Sequence, residues 1–142
     1  GLQPYLSGTP TSVAVILDSD GVCRDLFPPA DQVLSDDGHF VYLGGRVPSV
    51  TAQHAVLQQV AKRACLSVPG LRSYVGVDLI VPDKPPHQPV VVEINPRLTT
   101  SYLGYRQLTE VNLGQRLLCL DQDNVPVHWR SESISFSPIG DQ

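Results

Sequence analysis

Two β-branched runs flanking a segment that cannot be regular structure constrain this chain most. The first is Ser73 to Val81, SYVGVDLIV, and the second is Val90 to Arg97, VVVEINPR. Between them PDKPPHQP carries prolines at 82, 85, 86 and 89, each lacking a backbone donor and fixing φ, so this stretch is a loop. Its flanks therefore read as an antiparallel pair. Side chains alternate along a strand, so Val90, Val92 and Ile94 are expected on one face and Glu93 and Asn95 on the other. Val75, Val77, Leu79 and Val81 likewise oppose Asp78. If Val81 pairs with Val90, Asp78 lies directly across from Glu93. Like charges so placed destabilise a sheet, and they either raise one pKa or share a cation. A hard cation, most simply magnesium, resolves the conflict, with Asp78 and Glu93 as ligands and Asn95 as a neutral third oxygen.

Composition bounds the remainder. With 142 residues, 42% hydrophobic and 17% charged, the chain is one ordinary soluble domain or a piece of one. A net charge of −4 argues against a nucleic-acid groove or an acidic membrane surface as partner. Cys23, Cys65 and Cys119 fit neither a disulfide framework nor a zinc site, which points to a reducing, cytoplasmic setting. His39, His54, His87 and His128 show no ligand spacing. No apolar run has the length of a membrane span.

Along the chain, Ser12 to Leu17 is an apolar strand, and Val22 to Phe27 pairs back with it across the Asp20-Gly21 turn. Phe40 to Arg46 is a further strand, ended by Val47-Pro48-Ser49. Thr51 to Leu66 is the best helix, with Ala55, Val56, Val60, Ala61 and Ala64 at helical spacing and Ser49 or Thr51 as cap. Val56 and Val60 are expected to cover the sheet face opposite Asp78. Ser101 to Leu120 reads as a helix interrupted near Asn112-Leu113-Gly114, with a hydroxyl among Thr99, Thr100 and Ser101 as cap. Residues 121–142 are polar, with short strands expected at Val125 to Arg130 and Ile134 to Phe136. The class is α+β, a largely antiparallel sheet flanked by helices.

VGVDLIV followed by VVVEINPRLTTSY resembles the C-terminal core of an ATP-grasp ligase. The opening Leu2 to Gly8 with Ser12-Val13-Ala14-Val15 is similar to that family's hinge strand. The wording EINPRLTTSY, with YLGGRVP upstream, is similar to the tyramine–glutamate ligase type within the family. The resemblance implies the C-terminal subdomain of an ATP-grasp fold over residues 1–120, with a hinge strand at 2–8, a metal-site hairpin at 73–97, and 121–142 as an extension of the same domain. It implies ATP and magnesium (or manganese) as cofactors, held by Asp78, Glu93 and Asn95, with Gln3, Tyr5 and Leu6 at the adenine edge. It makes Arg97 the catalytic arginine beside the transferred phosphate. Gly76 would let backbone approach the phosphates. The implied reaction joins a small-molecule carboxylic acid to an amine through an acyl phosphate, forming ADP.

Three departures qualify the resemblance. The family's preceding domain has no counterpart, so the chain is expected to be a fragment that needs the missing N-terminal part of the same polypeptide and is inactive alone. Lys62 and Lys84 are the chain's lysines, one on the expected helix and one in the proline loop, so neither replaces the family's ATP grip. The acid that holds the ribose falls near Pro10 or Thr11. Two alternatives stay open: a non-catalytic or degenerate nucleotide-binding domain, and a magnesium-dependent nuclease, whose lysine would stand where Asn95 does. Arg97 as a structural partner of Glu93 also stays open, as does a homodimer.

Overall fold

In the computed structural model, residues 7–35, 42–51, 53–118 and 126–137 are described. Their elements run Gly8–Leu17 (β1), Cys23–Leu26 (β2), Ala30–Leu34 (β3), Tyr42–Val47 (β4), His54–Leu66 (α1), Ser73–Pro82 (β5), Val90–Asn95 (β6), Tyr102–Tyr105 (α2), Leu113–Leu118 (α3) and Ile134–Phe136 (β7). The strands form a seven-stranded sheet in the order β6-β5-β1-β3-β4-β7, with β2 also paired to β1. Each of these pairings is antiparallel. β1 and β5 are the spine, paired from Gly8↔Pro82 to Leu17↔Ser73.

The spine's alternation builds two cores. Val13, Val15, Leu17, Val75, Val77 and Leu79 pack with Leu57, Ala61 and Cys65 of α1. Ala14, Ile16 and Tyr74, on the other face, pack with Phe27, Tyr105, Leu108 and Phe136. Leu57 is fully buried, which contributes about 1.5–3 kcal/mol of transfer free energy. Among the described residues, no helix is long and apolar enough to cross a membrane.

Several expectations are corrected. A register shift between Asp78 and Leu79 makes Val92 an extra residue on β6, so Val90 faces Ile80 rather than Val81. The bulge reverses the phase of alternation beyond it. Val91 and Ile94, not Val92 and Ile94, meet the α1 core, while Val90 and Val92 are exposed. Asp78 still pairs with Glu93, because the shift lies on their far side. In α1, Leu57 rather than Val56 is the buried contact, and Val56 is 44% exposed. The helix begins at His54, and neither expected hydroxyl caps it. Thr51 Oγ1 accepts from Gln53 N–H and Ser49 Oγ from Thr51 N–H, so both are used in the turn before it.

The helix expected from Ser101 with a break near Asn112-Leu113-Gly114 is indeed interrupted, but the break spans residues 106–112 and α3 begins at Leu113. Thr109 and Val111 are poor helix formers, and Thr109 Oγ1 takes the Val111 N–H for a local turn. Asn112 then starts α3, its Oδ1 accepting from Gln115 N–H at 3.0 Å. Residues 126–130 are irregular rather than a strand. Trp129 anchors them in an aromatic cluster, 4.6 Å from Phe27 and 5.6 Å from Tyr105 between ring centroids. β3 was not anticipated: Ala-Asp-Gln-Val-Leu has a single β-branched residue and no clean alternation.

Candidate active site

Among the described residues, one end of the Tyr74 face lies beyond the aromatic core, and there the sheet carries polar residues. Ser12 of β1 pairs with Asp78 of β5, which pairs with Glu93 of β6. Ser12, Gln32, Leu34, Asp78, Asn95, Arg97, Thr99, Thr100 and Ser101 line a cavity of about 230 Å³. Asp78, Asn95 and Arg97 are thus brought together as the sequence implied. Glu93 stands opposite Asp78 but is exposed and does not line the cavity. Gln3, Tyr5 and Leu6 lie outside the described residues.

The chain returns over the sheet because β6 ends in a tight turn. Arg97 N–H donates to Asn95 O at 2.8 Å across Pro96, a bond that reverses the chain within three residues. Thr99 is thereby laid on β5. Its methyl fills the space above Gly76, where an added Cβ would come within 2.3 Å of Thr99 Cγ2. The space above Gly76 therefore belongs to Thr99. Tyr74 Oη is hydrogen-bonded to Thr99 Oγ1 at 3.2 Å, and Thr99 Oγ1 to Ser101 Oγ at 2.9 Å. Ser101 occupies the N-cap position of α2, but its hydroxyl makes no cap bond and serves this chain of hydroxyls instead. Burial pushes the Tyr74 phenol up to about 12, so it remains a neutral hydroxyl.

Asp78 is the electrostatic centre. Burial, the largest influence, pushes its carboxyl above the usual carboxylate range, and Glu93 pushes the same way. Hydrogen bonds from Gln32 and Asn95 and the charge of Arg97 oppose this. Gln32 Nε2 donates to Oδ1 at 2.9 Å and Asn95 Nδ2 to Oδ2 at 3.4 Å. Arg97 is exposed and donates to Leu98 O at 3.3 Å. Among the described residues no ion pair joins it to Glu93, so the structural-partner alternative gains no support. Ser12 and Gln32 are the site residues that sequence reasoning missed. The sequence puts Ser12 on a strand without fixing its face, and Gln32 lies on β3, whose residues carry no clear strand pattern.

Two hard carboxylate oxygen donors and an amide on one sheet face suit magnesium or manganese in chemical type. They are too few to hold it alone: among the described residues no group of three or more His, Cys, Asp or Glu side chains could do so. Such a site suits a cation that arrives with phosphate oxygens of its own. Lys62 belongs to α1, in the layer on the other side of the sheet, and Lys84 to the β5–β6 loop. Neither lines the cavity.

A family model described as an ATP-grasp domain matches residues 2–101. Tyramine–L-glutamate ligase from Methanocaldococcus fervens is 29% identical over 141 residues, covering 96% of this chain and 42% of that protein. N5-carboxyaminoimidazole synthetase from Staphylococcus aureus, also solved with ADP, superposes with a TM-score of 0.69 at 14% identity, over 88% of this chain and 33% of that one. An ATP-grasp superfamily protein from Archaeoglobus fulgidus gives 0.57 at 27% identity, over 80% of this chain and 35% of that one. The chain thus spans less than half the length of each of these relatives. With more than half of its residues matching the family model and its sheet shared with these structures, the chain belongs to the ATP-grasp family.

Proposed function

We propose that this chain is the metal- and phosphate-facing part of an ATP-dependent ligase that joins a carboxylate to an amine through an acyl phosphate. The observation that carries the reading is the convergence of Asp78, Asn95 and Arg97 on a hydroxyl-lined cavity, with Glu93 paired across from Asp78. In this reading Asp78, Glu93 and the Asn95 oxygen hold magnesium. When bound, the ion neutralises charge on the terminal phosphates of ATP. Gln3, Tyr5 and Leu6 would meet the adenine edge. The paired lengths and the ligase relative support a longer polypeptide whose other part supplies the ATP-gripping lysines.

The chain's own residues then have defined work. Arg97 sits at the cavity with its planar fork free of any carboxylate partner among the described ion pairs. That fork suits an oxyanion presenting two acceptors, first on the transferred phosphoryl group and then on the tetrahedral adduct formed by the amine. Ser12, Thr99, Thr100 and Ser101 offer hydroxyl donors to the remaining oxygens, and their neutrality leaves Arg97 to match the developing charge. The tyramine–L-glutamate ligase relative supports an acid and an amine of the glutamate and tyramine kind as the first pair to try. A second reading, a non-catalytic nucleotide-binding domain, is favoured by one observation: neither lysine lines the cavity.

The test is product analysis and one substitution, on the full-length polypeptide with tyramine and glutamate. ATP should be converted to ADP and phosphate. Arg97→Lys should lower kcat about a hundred- to a thousandfold, equivalent to about 2.7–4 kcal/mol in the barrier, with little change in ATP affinity. Formation of AMP and pyrophosphate would refute the mechanism. A rise in the ATP Michaelis constant alone would make Arg97 a binding residue. ATP binding with no turnover on any acid–amine pair would favour the non-catalytic reading.

A further inference from the structure

Asp78 is gripped by two amides of unequal strength. The 2.9 Å bond from Gln32 is well formed, whereas the 3.4 Å contact from Asn95 lies beyond the usual range for N–H···O. Gln32 does not belong to the hairpin that carries the proposed ligands. It comes from β3, which is separated from β5 by β1. Registers Ser12↔Ala30 and Ser12↔Asp78 fix how far along β3 its side chain starts, and it reaches past Ser12 to the carboxylate. Gln32, Ser12 and Asp78 all line the one cavity.

This asymmetry has a consequence for any cation held between Asp78 and Asn95. To offer its oxygen, the Asn95 amide has to turn its nitrogen away from Asp78 Oδ2, giving up the weaker bond. Gln32 need not move, since its bond is to the other oxygen. A carboxylate anchored at one oxygen has its second oxygen aimed, and hydrogen-bonded partners of this kind orient metal-ligating carboxylates generally. We propose that Gln32 is a positioning residue that anchors Asp78 Oδ1 and so directs Oδ2 toward the cation, while Asn95 exchanges donor for acceptor as the cation enters. The inference rests on the metal-site reading above.

The test is manganese binding by electron paramagnetic resonance on the full-length polypeptide, with a non-hydrolysable ATP analogue present. Gln32→Met keeps the length of the side chain and removes the donor. It should weaken manganese binding about ten- to a hundredfold while the analogue's metal-free affinity is unchanged. Wild-type manganese affinity in Gln32→Met would overturn the inference and leave Gln32 a merely structural hydrogen bond. Should Gln32→Met fail to fold, side-chain amide resonances of the wild type decide instead. On adding magnesium with the analogue, the Gln32 NH₂ signals should stay in place and slow to exchange, and those of Asn95 should shift. Equal shifts of both, or neither moving, would overturn it. If wild-type protein takes up no manganese with nucleotide present, the metal-site reading fails first and this inference falls with it.

Discussion

Gly76→Ala should destabilise the fold by about 1–3 kcal/mol, and the number follows from what lies above Gly76. The new Cβ would sit 2.3 Å from Thr99 Cγ2, a distance that no pair of methyl groups tolerates, and 3.4 Å from Thr99 Cβ and Oγ1. β5 is paired on both sides at this point, with Ala14 and with Asn95, so the strand cannot retreat. Thr99 must move, and its hydroxyl then leaves Tyr74 Oη and Ser101 Oγ. Losing the Tyr74–Thr99 and Thr99–Ser101 bonds costs about 1 kcal/mol each, with Ser101 still bonded to the Tyr74 hydroxyl, and pushing the packed methyl aside adds strain of the order of 1 kcal/mol. Against this, alanine in a strand gains about 0.5–1 kcal/mol over glycine by losing less backbone entropy. Urea unfolding followed by circular dichroism measures the difference, with an unchanged slope as the control. Thr99→Ser removes the offending methyl and keeps the hydroxyl, so it should restore most of the loss in the double variant, a non-additivity that marks direct contact. A Gly76→Ala protein as stable as wild type, or a double variant no better than Gly76→Ala alone, would refute the account of this loop.

Arg116→Met should cost about 3–5 kcal/mol in the same unfolding assay, because it leaves the buried Asp25 carboxyl without its arginine partner. The pair is only 3% and 7% exposed at its side chains, with Nε–Oδ2 at 3.0 Å and Nη2–Oδ1 at 3.2 Å, and removing both charges together should cost much less. Asp78→Asn should stabilise the fold at pH 7: the folded-state pKa lies above the unfolded value, so ionisation penalises the folded form as pH rises through that window. The gain should shrink on acidification toward the unfolded pKa, and a gain independent of pH would contradict the burial argument. Cys65, whose thiol burial and then Cys23 push up to about 11, should resist iodoacetamide at pH 8 in native protein and react on unfolding, as followed by mass spectrometry.

What was legible in the sequence is what depends on short-range pattern. The proline loop and β-branched flanks identified the β5–β6 hairpin, and VGVDLIV with EINPR brought Asp78, Asn95 and Arg97 to one place. Local pattern could not show the bulge at Val92, since a run of three valines looks the same in either phase. β3 was hidden because its strand character comes from pairing with β1 and β4 rather than from its residues. Gln32 was hidden with it. Tertiary packing likewise placed the helix break earlier than local pattern did, at residues 106–112, where Leu108 is taken into the aromatic core and its carbonyl accepts from Arg130 N–H at 2.7 Å. The two cores were readable from alternation along β1 and β5, but which helical residue met the sheet was not: Leu57 and Val56 are neighbours, and only the start of α1 decides between them.

The placement of Asp78 opposite Glu93 is difficult to account for as structure alone. A strand residue at that position could be threonine or valine at no cost in pairing, and the sheet would gain from either. Instead the chain keeps one carboxyl partly buried, a second facing it, and then recruits amides from two other positions to hold the first. Gln32 and Asn95 each contribute a hydrogen bond to a charged acceptor, of the order of 1.5–3 kcal/mol for a well-formed one. These bonds offset the desolvation of Asp78 without cancelling it, since its pKa remains raised. The conflict is thus moderated rather than removed, and it sits at an end of the sheet face that, among the described residues, lies beyond the aromatic core. Local instability confined to a polar cavity supports the cation and phosphate site proposed above. The proposed site would give the partly buried Asp78, the exposed Glu93 opposite it and the exposed Arg97 at the cavity one common role.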